Sequence, residues 1–153
     1  MNDIATVTFV CAACGAPLTN AITQLPSVPE TPYQETFDDD AATMPAGYWA
    51  IDPSPQHSTI HDGDYSDPDN PFRDGSHEQL VMNSPLLNPV DLLDLPPHPD
   101  PRRNYGCCRR DGFNGPNLVC PSCGAEVATI QDDCQGLNEV RLLPSAVGTV
   151  PAQ

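Results

Sequence analysis

Four cysteines of this chain come in two matched pairs, Cys11-Ala12-Ala13-Cys14 and Cys120-Pro121-Ser122-Cys123, and each pair is followed by Gly-Ala. Two thiols on one tight turn can do two kinds of chemistry. They can cycle between dithiol and disulfide, or they can supply half of the four ligands that a tetrahedral ion such as zinc requires. One turn leaves such an ion half-coordinated, and a second turn of the same kind completes it. The pairs stand near opposite ends of a chain of 153 residues. They therefore pose three alternatives: two redox motifs, two separate metal sites, or two halves of one site.

The flanking residues favour the last. Residues 4–10, IATVTFV, and 117–119, NLV, are β-prone runs leading into Cys11 and Cys120. The segments after the pairs, GAPLT and GAEVATI, read as return strands, with Pro17 fitting best at an edge. A redox pair of the thioredoxin kind opens a helix, whose N-terminal dipole lowers the thiol pKa, and neither segment has a helical pattern. No His follows Cys14 or Cys123, which excludes Cys-x-x-Cys-His haem attachment. We read Cys11, Cys14, Cys120 and Cys123 as one structural zinc site. Four thiolates fill its tetrahedron and leave no open position for catalytic water.

Two knuckles set between strand and return strand resemble the zinc-ribbon superfamily. The resemblance implies a small, metal-stabilised β domain with a zinc-ribbon-like antiparallel sheet. It covers the knuckles and their flanking strands, and the chain departs from the usual pattern in the length between knuckles, a tolerable departure because loop-closure cost grows only logarithmically. The string HPDPRRNYGCCRRDGFNGPNLVCPSCGAEVATIQDDC, residues 98–134, is also similar to one in a group of small actinobacterial proteins with no assigned activity. That likeness groups Arg102, Arg103, Asn104 and the Gly106-Cys107-Cys108 turn with the second knuckle.

Three further cysteines, Cys107, Cys108 and Cys134, allow two readings. With His98 they could hold a second zinc, although vicinal cysteines chelate one ion awkwardly. Alternatively they are small buried residues of a compact lobe. Cys107-Cys108 also offers a thiol-sensing alternative. His57 and His61 lie among prolines and a glycine and lack the glutamate of a metalloprotease helix, so they read as loop residues. The run DGDYSDPDNPFR, from residue 62, lacks the glycine and glutamate of a calcium loop.

These sites need a scaffold that composition alone barely supplies. The chain has 19 prolines and a net charge of −15, so apolar burial alone is a doubtful match for a backbone ordering cost of about 1–2 kcal/mol per residue. We expect residues 1–25 and 98–153 to form the two halves of the ribbon. Residues 26–97 should be a long, mostly irregular acidic insertion with short strands at 47–51 and 79–82 and a helix start at 88–93, where Asn88 is the N-cap and Pro89 opens the turn. Asn138 to Leu143 should be a half-buried strand, with Val140 and Leu142 inward and Glu139 and Arg141 outward.

The functional expectation is a non-enzymatic zinc-binding interaction module. Its acidic insertion would meet a protein partner, with Tyr48, Trp49 and Phe72 as anchors. Net acidity disfavours nucleic acid, although Arg102, Arg103, Arg109 and Arg110 could form a local basic patch. The first residues show no basic-then-apolar leader, and no run approaches the roughly 20 apolar residues of a membrane span. A cytoplasmic protein without membrane contact is the expectation.

Overall fold

The computed structural model describes residues 5–30, 42–61, 76–133 and 138–152. The calcium-like run from residue 62, together with Phe72 and Cys134, lies outside the described residues. The fold is all-β, and no α-helix occurs among the described residues. The described residues form ten strands: β1 Thr6–Cys11, β2 Ile22–Gln24, β3 Tyr48–Asp52, β4 Gln56–His61, β5 Ser76–Val81, β6 Ser84–Leu87, β7 Leu118–Val119, β8 Glu126–Gln131, β9 Glu139–Leu142 and β10 Val147–Pro151. Eight of them form one mixed sheet in the order β10-β1-β2-β3-β6-β9-β8-β7, curled into a half-barrel, and β4 and β5 form a separate hairpin. Among the described residues, only the β2–β3 pairing in the large sheet is parallel.

The segment expected to be an irregular insertion supplies β3 and β6, the middle of this sheet. Their residues explain the position. Trp49 lies opposite Leu87 and Ala50 opposite Leu86, so adjacent positions on each strand carry apolar groups to both faces. A strand buried on both faces belongs in the interior of a sheet. Trp49 and Leu87 join Phe9, Leu18, Ile22, Leu118, Val127, Val140 and Leu142 in the main core. Phe9 and Trp49 meet edge-on, with ring centroids 4.9 Å apart, a favoured aromatic geometry. Ala50 and Leu86 pack with Met44 on the opposite face. Trp49 is therefore a core residue and no surface anchor, whereas Tyr48 beside it is exposed.

Where regular pairing fails, side chains complete it. The ladder between β7 and β8 shifts register. There the fully buried Asn117 accepts from the Ile130 N–H at 2.8 Å and donates to the Ile130 carbonyl at 3.0 Å. The expected helix start at Asn88 is a single 3-10 turn, Pro89–Asp91, capped as read by the Asn88 side chain accepting from the Val90 N–H. The β4–β5 hairpin is tied to the body by the Thr59 N–H, which donates to the Phe113 carbonyl at 2.9 Å. His57 and His61 thus lie on a strand and not in a loop.

Candidate metal centre

Both knuckles are built alike. The Gly15 N–H donates to the Cys11 carbonyl at 2.7 Å and the Gly124 N–H to the Cys120 carbonyl at 2.9 Å. The Cys11 N–H donates onward to the Ala16 carbonyl and the Cys120 N–H to the Ala125 carbonyl, both at 2.8 Å. Closing such a turn requires left-handed backbone at its fifth residue, and Gly15 and Gly124 have φ of 81° and 78°, a conformation costly for a residue with a Cβ. Each turn then presents one buried and one exposed thiol, Cys11 with Cys14 and Cys120 with Cys123.

The four sulfurs converge. Cys11 Sγ lies 3.7 Å from Cys123 Sγ, Cys14 Sγ lies 3.5 Å from Cys120 Sγ, and all four are within 4.8 Å of one another. Zinc–sulfur bonds of about 2.3 Å place the sulfurs of a tetrahedral site about 3.8 Å apart. The donor set and its spacing therefore fit zinc, and these four residues would hold it. Among the described residues no other group of three or more His, Cys, Asp or Glu ligands converges in this way.

Electrostatics within the cluster are uneven. Burial opposes ionisation of Cys120, but N–H groups of Cys123 and Ser122 and the neighbouring thiols outweigh it and bring the thiol down to about 7. Cys123 goes the other way: the Ala125 N–H favours its thiolate, yet burial and the competing sulfurs of Cys11, Cys14 and Cys120 carry it to about 11. Four thiols at this spacing cannot all shed protons cheaply without a cation between them, because like charges in contact disfavour one another.

The other sequence candidates are placed differently. His98 accepts the Asp100 N–H at its Nδ1, 3.0 Å away, and its Nε2 lies 2.9 Å from Glu126 Oε1. Cys107 is an exposed free thiol, Cys108 is disulfide-bonded, and both their backbone N–H groups donate to the Asp133 carboxylate at 2.8 Å. Both ring nitrogens of His98 are thus engaged, and a disulfide sulfur is no thiolate ligand, so the described members of the His98, Cys107, Cys108 and Cys134 set are not assembled as a metal site.

The arginine pairs are largely consumed by carboxylates. Arg102, 2% exposed, meets Asp100 through both Nε and Nη2 at 3.1 and 2.9 Å. Burial disfavours the Asp100 anion, but the Arg102 side chain and backbone N–H hold its carboxyl below the ordinary value. Arg103 donates to the Pro116 carbonyl at 2.9 Å and lies 3.1 Å from Glu126, while Arg110 lies 2.8 Å from Asp132. Arg109 is exposed.

Sequence reasoning missed a second polar centre. Glu139, expected to face outward, is fully buried, and its carboxylate accepts from Thr43 Oγ1 at 2.8 Å and pairs with Arg141 Nε at 2.7 Å. Arg141 Nη1 also pairs with Asp52 at 2.6 Å. An Arg two residues after a Glu on a strand was the available signal, since both side chains then share one face. No protein-family model, no curated protein and no solved structure matches this chain.

Proposed function

We propose that the chain is a non-enzymatic zinc protein in which Cys11, Cys14, Cys120 and Cys123 hold one structural ion, and that the clasped half-barrel serves as a protein-interaction module. The convergence of four cysteine sulfurs from two turns of like build carries this reading. With all four positions taken by thiolates, none is open for water or substrate. The knuckles keep the zinc-ribbon form, here inserted into a larger sheet. A nucleic-acid role has less support, because Arg102, Arg103 and Arg110 already face carboxylates. Native mass spectrometry tests the site: one zinc per chain is expected, and none in Cys120→Ser. A metal-free native protein, or zinc retained in that variant, would overturn it.

The exposed Cys107 thiol beside the disulfide-bonded Cys108 favours one second reading, a thiol-sensing role. Thiol labelling of the zinc-loaded protein discriminates. Modification of Cys107 that changes partner binding supports sensing, and a protected Cys107 removes that role.

A further inference from the structure

The two margins of the eight-stranded sheet are finished differently. At one, β7 is covered: the Val119 N–H donates to the Pro96 carbonyl at 3.0 Å, the His98 N–H to the Asn117 carbonyl at 2.8 Å, and Pro97 bridges Leu118. At the other margin stands β10. The Ala152 N–H donates to the Thr6 carbonyl at 3.0 Å and the Ala12 N–H to the Ala146 carbonyl at 2.9 Å, and the register between them sets Val150 opposite Thr8 and Gly148 opposite Val10. Backbone groups alternate along an antiparallel strand, so Gly148 and Val150 bond to β1. The N–H and carbonyl groups of Val147 and Thr149, and the Pro151 carbonyl, point away from it. Among the described residues, no strand or loop takes up this outward row.

An open row of this kind is a template for another strand, and sheet edges are commonly blunted with charged side chains. The edge Val-Gly-Thr-Val-Pro carries no charge, and its only blunting feature is Pro151, which lacks one donor. Thr149 and Val150 are exposed. Charge on the rest of the molecule selects the occupant. The chain carries −15, and Arg102, Arg103, Arg110 and Arg141 are each paired with carboxylates inside the fold. A second copy would bring the same negative charge against it, whereas a basic segment is attracted.

We infer that β10 is a docking edge for an extended, basic segment of a partner protein, which adds to the sheet through backbone bonds to Val147, Thr149 and Pro151. This rests on the interaction-module reading and names its partner class. The edge is tied to the first knuckle, since Cys11 lies opposite Val147.

The test titrates zinc-loaded full chain with a capped peptide of alternating valine and threonine flanked by arginines. Comparators are the same peptide flanked by glutamates and one N-methylated at alternate amides. Thr149→Pro removes an outward donor while leaving the bonds of Gly148 and Val150 to β1. Saturable binding is expected, with amide shifts at residues 147–151. It should weaken about tenfold or more with Thr149→Pro, with N-methylation and with glutamate flanks, the scale of a hydrogen bond lost with its partner left unsatisfied. Should Thr149→Pro melt early, Thr149→Lys is the second variant and must weaken binding likewise by placing a like charge on the edge. No binding, binding indifferent to both variants, or a dimer that Thr149→Pro dissociates would each overturn the assignment. If the peptide fails while one zinc per chain remains, the edge falls and the zinc reading stands; if zinc is absent, the reading beneath it has failed.

Discussion

Gly124 and Cys123 show how much of the centre is decided one residue at a time. A Cβ built on Gly124 would meet nothing within 4 Å, so space does not demand glycine there; the φ of 78° does. Gly124→Ala should therefore cost backbone strain alone, about 1–2 kcal/mol, and lower the melting temperature by about 2–8 °C with zinc content unchanged by mass spectrometry. Zinc lost in that variant would mean that the turn tolerates no relaxation. Cys123 governs the pH response. With its thiol at about 11 it carries a proton at neutrality that zinc must displace, whereas Cys120, at about 7, is already half ionised. Metal and protons compete for the same sulfurs. Competition titrations with a chromophoric chelator should find zinc affinity rising with pH through 7 and still rising above 8. A plateau from pH 7 upward would show that no protonated thiol remains to be displaced.

At the scale of elements, β1, β7 and β8 beside the knuckles were legible because two local signals coincide there, β-prone runs and the Cys-x-x-Cys-Gly turn, whereas the expected return strand GAPLT forms only isolated bridges at Pro17 and Thr19, and β2 begins at Ile22. The runs at 47–51 and 79–82 were likewise legible as strands. The central position of β3 was not, because that depends on Trp49 and Ala50 being covered on opposite faces by residues remote in sequence. β10 gave no signal: Val-Gly-Thr-Val-Pro has glycine and proline in a short run, and its pairing to β1 supplies what propensity lacks. Alternation along β9 placed Val140 and Leu142 correctly but turned Glu139 to solvent, since periodicity cannot foresee a partly buried cation, Arg141, to receive it. That ion cluster makes a sharp prediction. Arg141→Met leaves the Glu139 and Asp52 carboxylates without their cation, and removing one partner of a buried pair costs about 3–5 kcal/mol. Thermal melts should fall by about 6 °C or more, and adding Glu139→Gln and Asp52→Asn should recover most of the loss. An unchanged melt would show that the cluster adds no net stability.

For the whole molecule the informative fact is where the two knuckles sit in the sheet. β1, which ends in Cys11, and β7, which leads into Cys120, are separated in the sheet order by β2, β3, β6, β9 and β8, yet their thiols meet. Neither strand pairs with the other. The sheet must curl to bring them together, and a metal at the cluster would close that curl where no backbone ladder does. Zinc should then act as a ligand of the folded state alone. Its stabilisation grows as the logarithm of free zinc above the dissociation constant, about 1.4 kcal/mol per tenfold increase. For a domain of this size that is about 3–6 °C of melting temperature per decade. Melts in zinc buffers spanning several decades should trace that slope, with Trp49 fluorescence reporting the same transition as the far-UV signal because Trp49 packs on Phe9 of β1. If Trp49 melted separately and earlier, the metal would clasp only the knuckles; if neither signal moved with zinc, the curl would be held by the core alone.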